Sequence, residues 1–399
     1  MKKLLVIAPQ NPYPAKDGGK ISIYYPLINL AKYFQIHFVF TYFQPLPQDV
    51  EEHFEDIGIK IYPQKVNTKD SFSGVLLNII SSRPYKFHKY HKGTILKKIG
   101  TIVQKEDIKF IWCNHSHVAW YGLQLQRKFE VKIFLREHNI EYSLVQQVMK
   151  LRKNKLLKAF IQLQYLKTKN HEIHCWKTFD KTFFISDSDF SIAKNECDDC
   201  ERLDLLYDTS HQRKERHIEK KEPCSFIFTG NVETFQNCHN LQRFITEIWE
   251  PLIKVDARWK LYITGNKDGV IKKKINTNFV ANNIVNLGFV NEIEQAIDSK
   301  KYFISPSYIG SGLRIKVVNA MAGGAVCFLS TLDAHMLSSF RHFDNIIKFD
   351  NFNTFYENLI RLENDELLYN SISLQASKLG TDFTWEDYAL KVYNEITRI

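Results

Sequence analysis

Short apolar runs rich in β-branched and aromatic residues alternate with longer segments of helical periodicity along the whole chain. The strands predicted in the first half are Lys3–Ala8, Ile36–Phe43, Gly58–Tyr62, Lys109–Cys113, Val131–Leu135 and Lys181–Ile185. The helices predicted between them are Ile21–Phe34, Ser116–Lys128 and a single long one around Glu141–Cys175. Regular alternation of this kind indicates βαβ units and a parallel sheet.

The second half repeats this alternation. Its predicted strands are Ser225–Thr229, Trp259–Thr264, Ile284–Leu287, Tyr302–Ser305, Ala325–Ser330 and Ile346–Phe349. Its predicted helices are His239–Lys254, Glu292–Ser299, Arg314–Ala322, Phe352–Leu362 and Trp385–Ile396. We therefore predict an α/β protein with two Rossmann-like, doubly wound domains that face a central cleft, because ligands of such sheets bind outside the carboxyl ends of the strands.

The domain boundaries follow from a charged segment in the middle of the chain. Residues 208–222 contain almost no large apolar side chain and are predicted to be a linker. The predicted domains are residues 1–207 and residues 223–383, followed by a terminal helix over residues 384–399.

Composition and charge narrow the class of protein. The 399 residues are 44% hydrophobic and 25% charged, which excludes a disordered chain, a collagen and a coiled-coil rod. The longest apolar runs, such as Leu4–Pro9 and Val75–Ile80, are far shorter than the roughly 20 residues that cross a bilayer. The seven cysteines are scattered, so we expect a reducing, cytoplasmic location. Residues 1–200 carry 30 Lys and Arg against 19 Asp and Glu, whereas the rest of the chain is nearly balanced, which points to an anionic partner of the first half.

Two glycine-containing loops follow predicted strands and open predicted helices. Gly18 and Gly19 end the loop after the first strand, where glycines and a helix N-terminus favour an anion, although glycines also serve plain turn geometry. Gly310-Ser311-Gly312 follows the strand that ends at Ser305 or Pro306, and Arg314 and Lys316 come next. This second pattern is typical of a diphosphate cradle. It lacks the spacing of a P-loop or of a dinucleotide fingerprint.

Other polar clusters admit two interpretations each. Asp187-Ser188-Asp189 either holds a divalent cation or, as we favour, begins a helix capped by Ser186 or Asp187. The Cys197–Cys200 pair lacks a second pair for zinc, so we interpret both as structural or incidental thiols. His138 follows a strand end and either serves chemistry or is satisfied within its domain, and His115 and His117 are weaker candidates of the same kind.

Two basic stretches also have two interpretations. The segment from Lys150 to Lys169 has leucines between its cations, which suits a helix on an anionic membrane surface or an ordinary packed helix with a solvated lysine face. Aromatic residues interleave with lysines between Arg83 and Lys98, but no recognised nucleic-acid module accompanies them. We therefore expect no nucleic-acid partner.

An ordered set of motifs resembles a known family. The motifs are FIFTGN (Phe226–Asn231), Asn237, IWEP (Ile248–Pro251), LYITGN (Leu261–Asn266), LGFV (Leu287–Val290), SPSYIGSGLRIKVVNAMAGGAVC (Ser305–Cys327) and FTWEDY (Phe383–Tyr388). In the first half, the glycine loop with its helix and the segment REHNIEY (Arg136–Tyr142) agree with them. The chain is thus similar to the GT-B, family 4 retaining glycosyltransferases, especially bacterial polysaccharide and lipopolysaccharide enzymes.

The resemblance implies that residues 1–207 form the acceptor side, that residues 223–383 bind the nucleotide sugar, and that the helix over residues 384–399 packs back on the first domain. It also implies a set of residue roles. Arg314 and Lys316 would neutralise the donor diphosphate, and His138 would contact the donor sugar or the acceptor; these three are the catalytic candidates. Further substrate-binding residues are implied at Gly18, Gly19, Gly230, Asn231, Gly265, Phe289, Val290, Gly310, Ser311, Gly312 and Asn319. No cofactor or metal is implied, because cations and helix dipoles would hold the diphosphate. The implied partners are a nucleotide sugar and a saccharide or lipid-linked acceptor. The charge asymmetry between the two halves separately predicts an anionic membrane surface as a partner of the first half.

The chain departs from the family at two positions. Asn319 and Ser311 stand where the family carries carboxylates, and an asparagine can still hydrogen-bond a ribose hydroxyl but supplies no charge. The first hypothesis is a retaining sugar transferase of cell-surface polysaccharide synthesis, located in the cytoplasm or at the inner face of the membrane. The alternatives are a catalytically impaired binding subunit of the same fold, and a nucleotide-sugar epimerase.

Overall fold

The computed structural model describes residues 1–15, 17–197, 199–207 and 221–398. Most of the predicted linker, residues 208–220, lies outside the described residues. Contacts among the described residues divide the chain into two units, Met1–Asp208 together with Trp385–Ile399, and Thr209–Thr384.

The first domain is built on a seven-stranded sheet in which every strand pair is parallel. Its strands are β1 (Lys2–Ala8), β2 (Phe34–Tyr42), β3 (Lys60–Lys65), β4 (Phe110–Asn114), β5 (Lys132–Glu137), β6 (Lys181–Phe184) and β7 (Leu203–Leu205). They lie in the order β3-β2-β1-β4-β5-β6-β7. The order reverses between β1 and β4, so this domain is doubly wound as predicted.

Helices cover this sheet. They are α1 (Gly18–Leu30), α2 (Val50–Asp56), α3 (Phe72–Ile79), α4 (Tyr85–His88), α5 (Gly93–Lys105), α6 (Ser116–Gln126), α7 (Glu141–Lys150), α8 (Lys155–Thr178) and α9 (Asp187–Glu196). The single helix predicted around Glu141–Cys175 is wrong, because the chain breaks at residues 151–154 and Asn154 caps α8 by accepting from the Leu157 N–H at 3.0 Å. The helix predicted over Ile21–Phe34 ends earlier, at Leu30, and Phe34 begins β2.

The second domain has a six-stranded sheet that is also parallel throughout. Its strands are β8 (Glu222–Thr229), β9 (Lys260–Thr264), β10 (Ile284–Gly288), β11 (Lys300–Ser305), β12 (Val326–Ser330) and β13 (Ile347–Phe349). Their order is β10-β9-β8-β11-β12-β13, which reverses between β8 and β11. Both sheets therefore confirm the predicted pair of Rossmann-like domains.

The helices of the second domain are α10 (Phe235–Phe244), α11 (Glu250–Val255), α12 (Asp268–Lys274), α13 (Ile293–Asp298), α14 (Ile315–Ala322), α15 (Thr331–Ala334), α16 (Phe352–Asn364) and α17 (Glu366–Asp382). A π-helical turn over Ile245–Trp249 joins α10 to α11. The sequence patterns missed α17, which packs against α14 and brings Gly380 onto the backbone of Ala322.

The last helix, α18 (Trp385–Arg398), belongs to the first domain. Its apolar face is buried against α1, where Trp385 stacks on Tyr25 with ring centroids 5.9 Å apart. Two ion pairs also join the helix to this domain, one between Lys181 on β6 and Glu395, and one between Lys391 on α18 and Asp204. The terminal helix is therefore part of the first domain's core.

Candidate active site

The carboxyl edge of the second sheet gathers two cations around a glycine-containing loop. Lys316 lies in the first turn of α14. Its Nζ donates at 2.9 Å to the carbonyl of Thr229, the last residue of β8. Its ammonium also lies 4.4 Å from the centre of the Phe228 ring. Because these contacts join α14 to the neighbouring strand, the ammonium sits at the point where the strand order reverses.

Arg314 occupies the residue before α14, and not the helix itself as predicted. Its Nη1 donates to the Ser311 carbonyl at 2.9 Å, and its Nε lies 3.5 Å from Oδ1 of Asp333. A Cβ atom added at Gly310 would overlap Nη2 of Arg314, so a larger residue there would displace the guanidinium from this position. The loop sequence and the cation are therefore matched to each other.

Three buried polar residues that the sequence patterns missed hold these loops. Asp333 accepts from the Ser305 hydroxyl at 2.5 Å, at the end of β11. Asn240 accepts from the backbone N–H groups of Tyr308 and Ile309, and Asn266 accepts from the N–H of Val232 and donates to the Gly230 carbonyl. Asp333 follows the end of β12, so a survey of all strand ends would have found it.

A pocket of about 150 Å³ opens on the other side of β8. Three predicted residues line it, namely Asn231, Gly265 and Phe289, together with Glu233, Asn266, Lys267 and Val270. Gly265 has a φ of +87°, a backbone conformation that favours glycine, and it lies beside the backbone of Gly230. Phe289 is 66% exposed and Val290 is half-buried, so an aromatic face is open to a planar ligand.

The remaining predicted residues of this domain lie at the same edge. Gly312 has a φ of +74° and is buried, and Ser311 is half-buried. Asn319 is half-buried on α14, one turn after Lys316, so the two side chains share a face of the helix.

Burial lowers the pKa of the Lys316 ammonium to about 8; the Asp333 carboxylate opposes this shift and the Arg314 charge adds to it. The Arg314 and Lys316 charges repel each other, and a bound anion would relieve this repulsion. The electrostatics of the site therefore favour a di-anionic group.

The first domain places its predicted residues at the carboxyl ends of β1 and β5. Gly18 and Gly19 begin α1, and the Asp17 side chain caps this helix by accepting from the Lys20 N–H at 3.0 Å. A Cβ atom added at Gly18 would meet none of the described residues within 4 Å, so the space beside this glycine is open. Ser22, one turn further along α1, approaches His138, so the helix and the histidine lie together.

His138 is held by a charged network inside this domain. Nη1 of the buried Arg136 lies 2.7 Å from Nε2 of His138 and 2.7 Å from the Ser22 carbonyl, and Nη2 donates to the Ser22 hydroxyl. Because arginine only donates, Nε2 must accept, which assigns the proton to Nδ1. Burial and the Arg136 charge hold the pKa of His138 well below its usual range. The imidazole is therefore neutral and oriented, a state suited to hydrogen bonding.

His115 and His117 belong to an adjacent buried chain of hydrogen bonds. Their Nδ1 atoms are 2.7 Å apart, His115 Nε2 lies 3.2 Å from Glu141 Oε1, and Lys86 donates to Glu141 Oε2 at 2.7 Å. Burial alone would raise the pKa of Glu141, but Lys86 and His115 hold it well below its usual range. His115 has a φ of +83°, a strained conformation for a non-glycine residue.

One ligand atom from each of His115, His117 and Glu141 lies within 4.8 Å of the others, which is close enough for a metal ion. The Lys86 ammonium already occupies one carboxylate oxygen, and both histidines are engaged with each other. An ion would have to break these contacts, so the donor set as it stands is a satisfied network and not an open metal site.

Two further sequence-based interpretations concern the edge of the first sheet. The Ser186 hydroxyl accepts from the Asp189 N–H at 3.3 Å and caps α9, which confirms the helix cap predicted at Asp187-Ser188-Asp189. Cys197 is buried, and the interpretation of Cys197 and Cys200 as structural or incidental thiols stays a prediction, because the side chain of Cys200 lies outside the described part of the chain.

Among the described residues, no helix combines the length and the hydropathy needed to span a bilayer.

Comparisons with known proteins agree with this fold. Residues 223–365 match the model of a family described as "Glycosyl transferases group 1". A relative from Klebsiella pneumoniae, an uncharacterized 44.6 kDa protein in the cps region, is 22% identical over 336 residues, which cover 80% of this chain and 81% of the relative.

Solved structures share the fold across the whole chain. Sucrose-phosphate synthase from Thermosynechococcus elongatus is 12% identical, with a TM-score of 0.73, and the match covers 100% of this chain and 98% of that one. Anabaena Alr3699/HepE in complex with UDP-glucose is 11% identical, with a TM-score of 0.67 and coverage of 99% and 100%. WaaG, a glycosyltransferase involved in lipopolysaccharide biosynthesis, is 10% identical, with a TM-score of 0.64 and coverage of 98% and 99%.

The two parallel-sheet domains and these structural neighbours show that the chain has the GT-B fold. Within the second domain, residues 223–365 match the family of glycosyl transferases group 1. The resemblance inferred from the motif order is confirmed at this level.

Proposed function

We propose that the protein is a family 4 retaining glycosyltransferase that acts in cell-surface polysaccharide synthesis. It transfers a sugar from a nucleotide diphosphate sugar to a saccharide or lipid-linked acceptor. The observation that carries the proposal is the convergence of Arg314 and Lys316 on the carboxyl edge of the second sheet, beside glycine-containing loops. The cps region of the Klebsiella relative and the lipopolysaccharide role of WaaG support the polysaccharide context.

The donor occupies the second domain in this proposal. Its diphosphate lies between the Gly230-Asn231 turn and the Gly310–Gly312 loop, and its base lies beside Phe289 and Val290. Asn319 hydrogen-bonds the ribose through its amide. Support comes from the pocket that Asn231, Gly265 and Phe289 share, and from the UDP-glucose bound by the HepE neighbour.

The reaction breaks the bond between the sugar C1 and the diphosphate oxygen, which leaves with the electron pair. The acceptor hydroxyl oxygen attacks C1 from the same face, and its proton passes to the departing diphosphate. Arg314 and Lys316 stabilise the negative charge that develops on the leaving group, and this is the largest contribution we assign to the protein. The charge balance at the diphosphate needs no divalent metal, because two side-chain cations and the α14 N-terminus face it.

The first domain binds the acceptor in this proposal. His138 contacts the donor sugar or the acceptor as a neutral imidazole, and Gly18 and Gly19 let the substrate approach the backbone at the start of α1. The hydrogen bonds from Arg136 and toward Ser22 support an orienting role for this imidazole. We further propose that the protein works in the cytoplasm at the inner face of the membrane.

A catalytically impaired binding subunit is the second candidate. It is favoured by Ser311 and Asn319, which place no carboxylate at the two positions where the family carries one. Such a protein would bind a nucleotide or a glycan without turnover.

A donor screen with the purified protein decides between these two functions. The protein is incubated with UDP-, GDP- and ADP-sugars and a panel of saccharide and lipid-linked acceptors, and release of nucleoside diphosphate is measured with and without acceptor. We expect acceptor-dependent release with one donor class. Nucleotide binding without release from any donor would instead favour the binding subunit.

Nucleoside diphosphate affinity is expected to fall as pH rises through about 8, because the pKa of Lys316 is about 8 and only its charged form attracts the diphosphate. A bound dianion raises this pKa. Between the pKa of the free protein and the higher pKa of the complex, the loss in affinity therefore approaches tenfold per pH unit. Calorimetric titration with UDP from about pH 7 to about pH 9 measures the effect.

The control is Lys316→Arg, which stays charged over this range and should flatten the profile. An affinity for UDP that stays constant in the wild-type protein between the two ends of the range would contradict the role given to Lys316.

A further inference from the structure

Helix α3 exposes large apolar side chains and buries a polar one, which is the reverse of a helix that packs on a hydrophobic core. Leu76, Leu77, Ile79 and Ile80, in and just after this helix, are 50%, 69%, 47% and 89% exposed, whereas the polar Asn78 among them is only 2% exposed. Scattered apolar residues on a surface are ordinary, but four large ones in five consecutive positions form a patch. A patch of this kind marks an interaction site.

Hydrogen bonds fix this orientation of α3. The Asn78 amide donates to the Arg83 carbonyl at 2.9 Å and accepts from Gln164 Nε2 at 3.0 Å. Lys167 Nζ donates to the Asn78 carbonyl at 2.6 Å. Because Gln164 and Lys167 lie on α8, the polar residue of α3 is locked against α8 and the leucines and isoleucines face outward.

Helix α8 adds exposed apolar side chains to the same part of the domain. Leu156 and Leu157 in its first turn are 84% and 43% exposed, and Leu166, next to the lysine that contacts α3, is 48% exposed. Lys153, Lys155 and Lys158 surround the first two leucines and are exposed. Cations therefore flank the exposed leucines of α8, and Lys167 of the same helix contacts α3.

The two chain segments that form this region contain no acidic residue. Residues 71–105 and 142–171 together carry 14 Lys and Arg and no Asp or Glu, whereas the whole chain has a net charge of only +10. The segments contact each other, since Tyr85 N–H donates to Gln164 Oε1 at 2.9 Å. Three of the cations, Lys86, Lys89 and Lys169, pair with carboxylates from outside the segments. The exposed lysines of α8 add to a strongly positive surface.

We propose that this docking face, formed by the exposed apolar residues of α3 and α8 and the lysines beside them, binds the surface of an anionic lipid bilayer. The proposal deepens the proposed function, on which it rests for its biological setting. The aliphatic side chains enter the boundary between headgroups and acyl chains, and the lysines stay at the level of the anionic headgroups. Docking would keep a lipid-linked acceptor close to the first domain.

Other occupants fit the face less well. A second copy of the chain would bring the same cations against each other, which costs free energy. A single-stranded nucleic acid needs aromatic side chains on which bases stack, and the exposed apolar residues of this face are leucines and isoleucines.

Co-sedimentation with vesicles tests the proposal. The full chain is mixed with phosphatidylglycerol-containing vesicles or with neutral phosphatidylcholine vesicles, at low and at high salt. We expect binding to the anionic vesicles that weakens with salt. Replacing Leu76, Leu77, Ile79 and Ile80 by serine should weaken binding by roughly tenfold or more, and Lys153→Gln/Lys155→Gln/Lys158→Gln by roughly 100-fold.

Matched controls lie in the second domain. Val280 and Leu367 are 88% and 84% exposed, and Val280→Ser/Leu367→Ser should leave vesicle binding unchanged. Lys272→Gln/Lys273→Gln/Lys274→Gln removes as many lysines from α12 and should do the same. Far-UV circular dichroism and UDP binding show that each variant is folded.

Three results would overturn the docking face. The first is equal binding to neutral and anionic vesicles, and the second is full vesicle binding by the serine variant. The third is a different occupant, seen as a concentration-dependent dimer or as tight RNA binding that the serine or glutamine substitutions abolish. Vesicle binding without sugar transfer would contradict the proposed function but leave the docking face intact. Transfer to a water-soluble acceptor without vesicle binding would do the reverse.

Discussion

The double substitution Arg314→Ala/Lys316→Ala is expected to lower kcat/KM for sugar transfer by a factor of about 10³ or more. The two cations lie at the same sheet edge, with the guanidinium beside Asp333 and the ammonium on the Thr229 carbonyl. Without them, the leaving diphosphate loses several charge-assisted hydrogen bonds at the moment its charge increases. Steady-state kinetics with the donor found in the screen measures the loss.

The matched control is Lys272→Ala/Lys273→Ala, which removes two cations from α12 in the same domain. This pair should leave kcat/KM within about twofold of the wild-type value, because solvated surface charges contribute little. Turnover that is unchanged in the Arg314/Lys316 variant would remove the basis of the proposed mechanism. A loss confined to KM would assign the cations to ground-state binding of the donor.

The substitution Gly380→Ala is expected to destabilise the second domain by about 3 kcal/mol. A Cβ at this position would overlap the Ala322 nitrogen and lie 2.7 Å from the Ala322 Cα, so α17 would have to move away from α14. Backbone atoms cannot rotate out of the way, and α14 carries Lys316. Chemical denaturation, followed through the transition of the second domain, measures the effect.

Gly269→Ala is the control for Gly380→Ala, since Gly269 is also helical and no atom of the described residues lies within 4 Å of its added Cβ. Alanine has the higher helix propensity, so Gly269→Ala should stabilise the domain by up to about 1 kcal/mol. A Gly380→Ala variant as stable as the wild-type protein would show that α14 and α17 do not pack as closely as described.

The sheets could be predicted because their central strands are unbroken apolar runs. Leu4–Ala8 and Phe226–Phe228 are buried on both faces, which leaves a strong local signal. The run Val75–Ile80 has a similar composition, yet most of it is exposed, because Asn78 is the residue that α8 holds. Sequence patterns do not reveal this exception, since it depends on a hydrogen bond across 86 positions of the chain.

Part of the candidate site was predictable because its residues come directly after a strand that the sequence pattern reveals. Gly310, Arg314 and Lys316 follow a strand in the sequence, so their place at the sheet edge follows from the parallel topology. Asp333, Asn240 and Asn266 were missed because their roles depend on loops that are distant in sequence. His138 was predicted as a candidate, but its neutral state and its tautomer follow only from the contacts of Arg136.

Binding of a nucleotide sugar's diphosphate by Arg314 and Lys316 of the second domain can be measured by calorimetric titration of the full chain with UDP, GDP and ADP at neutral pH. We expect at least one of the three nucleotides to bind. We expect Arg314→Ala/Lys316→Ala to remove this binding and Lys272→Ala/Lys273→Ala to retain it. Absence of binding by all three nucleotides, or equal affinity in both variants, would show that these two cations do not bind a donor diphosphate.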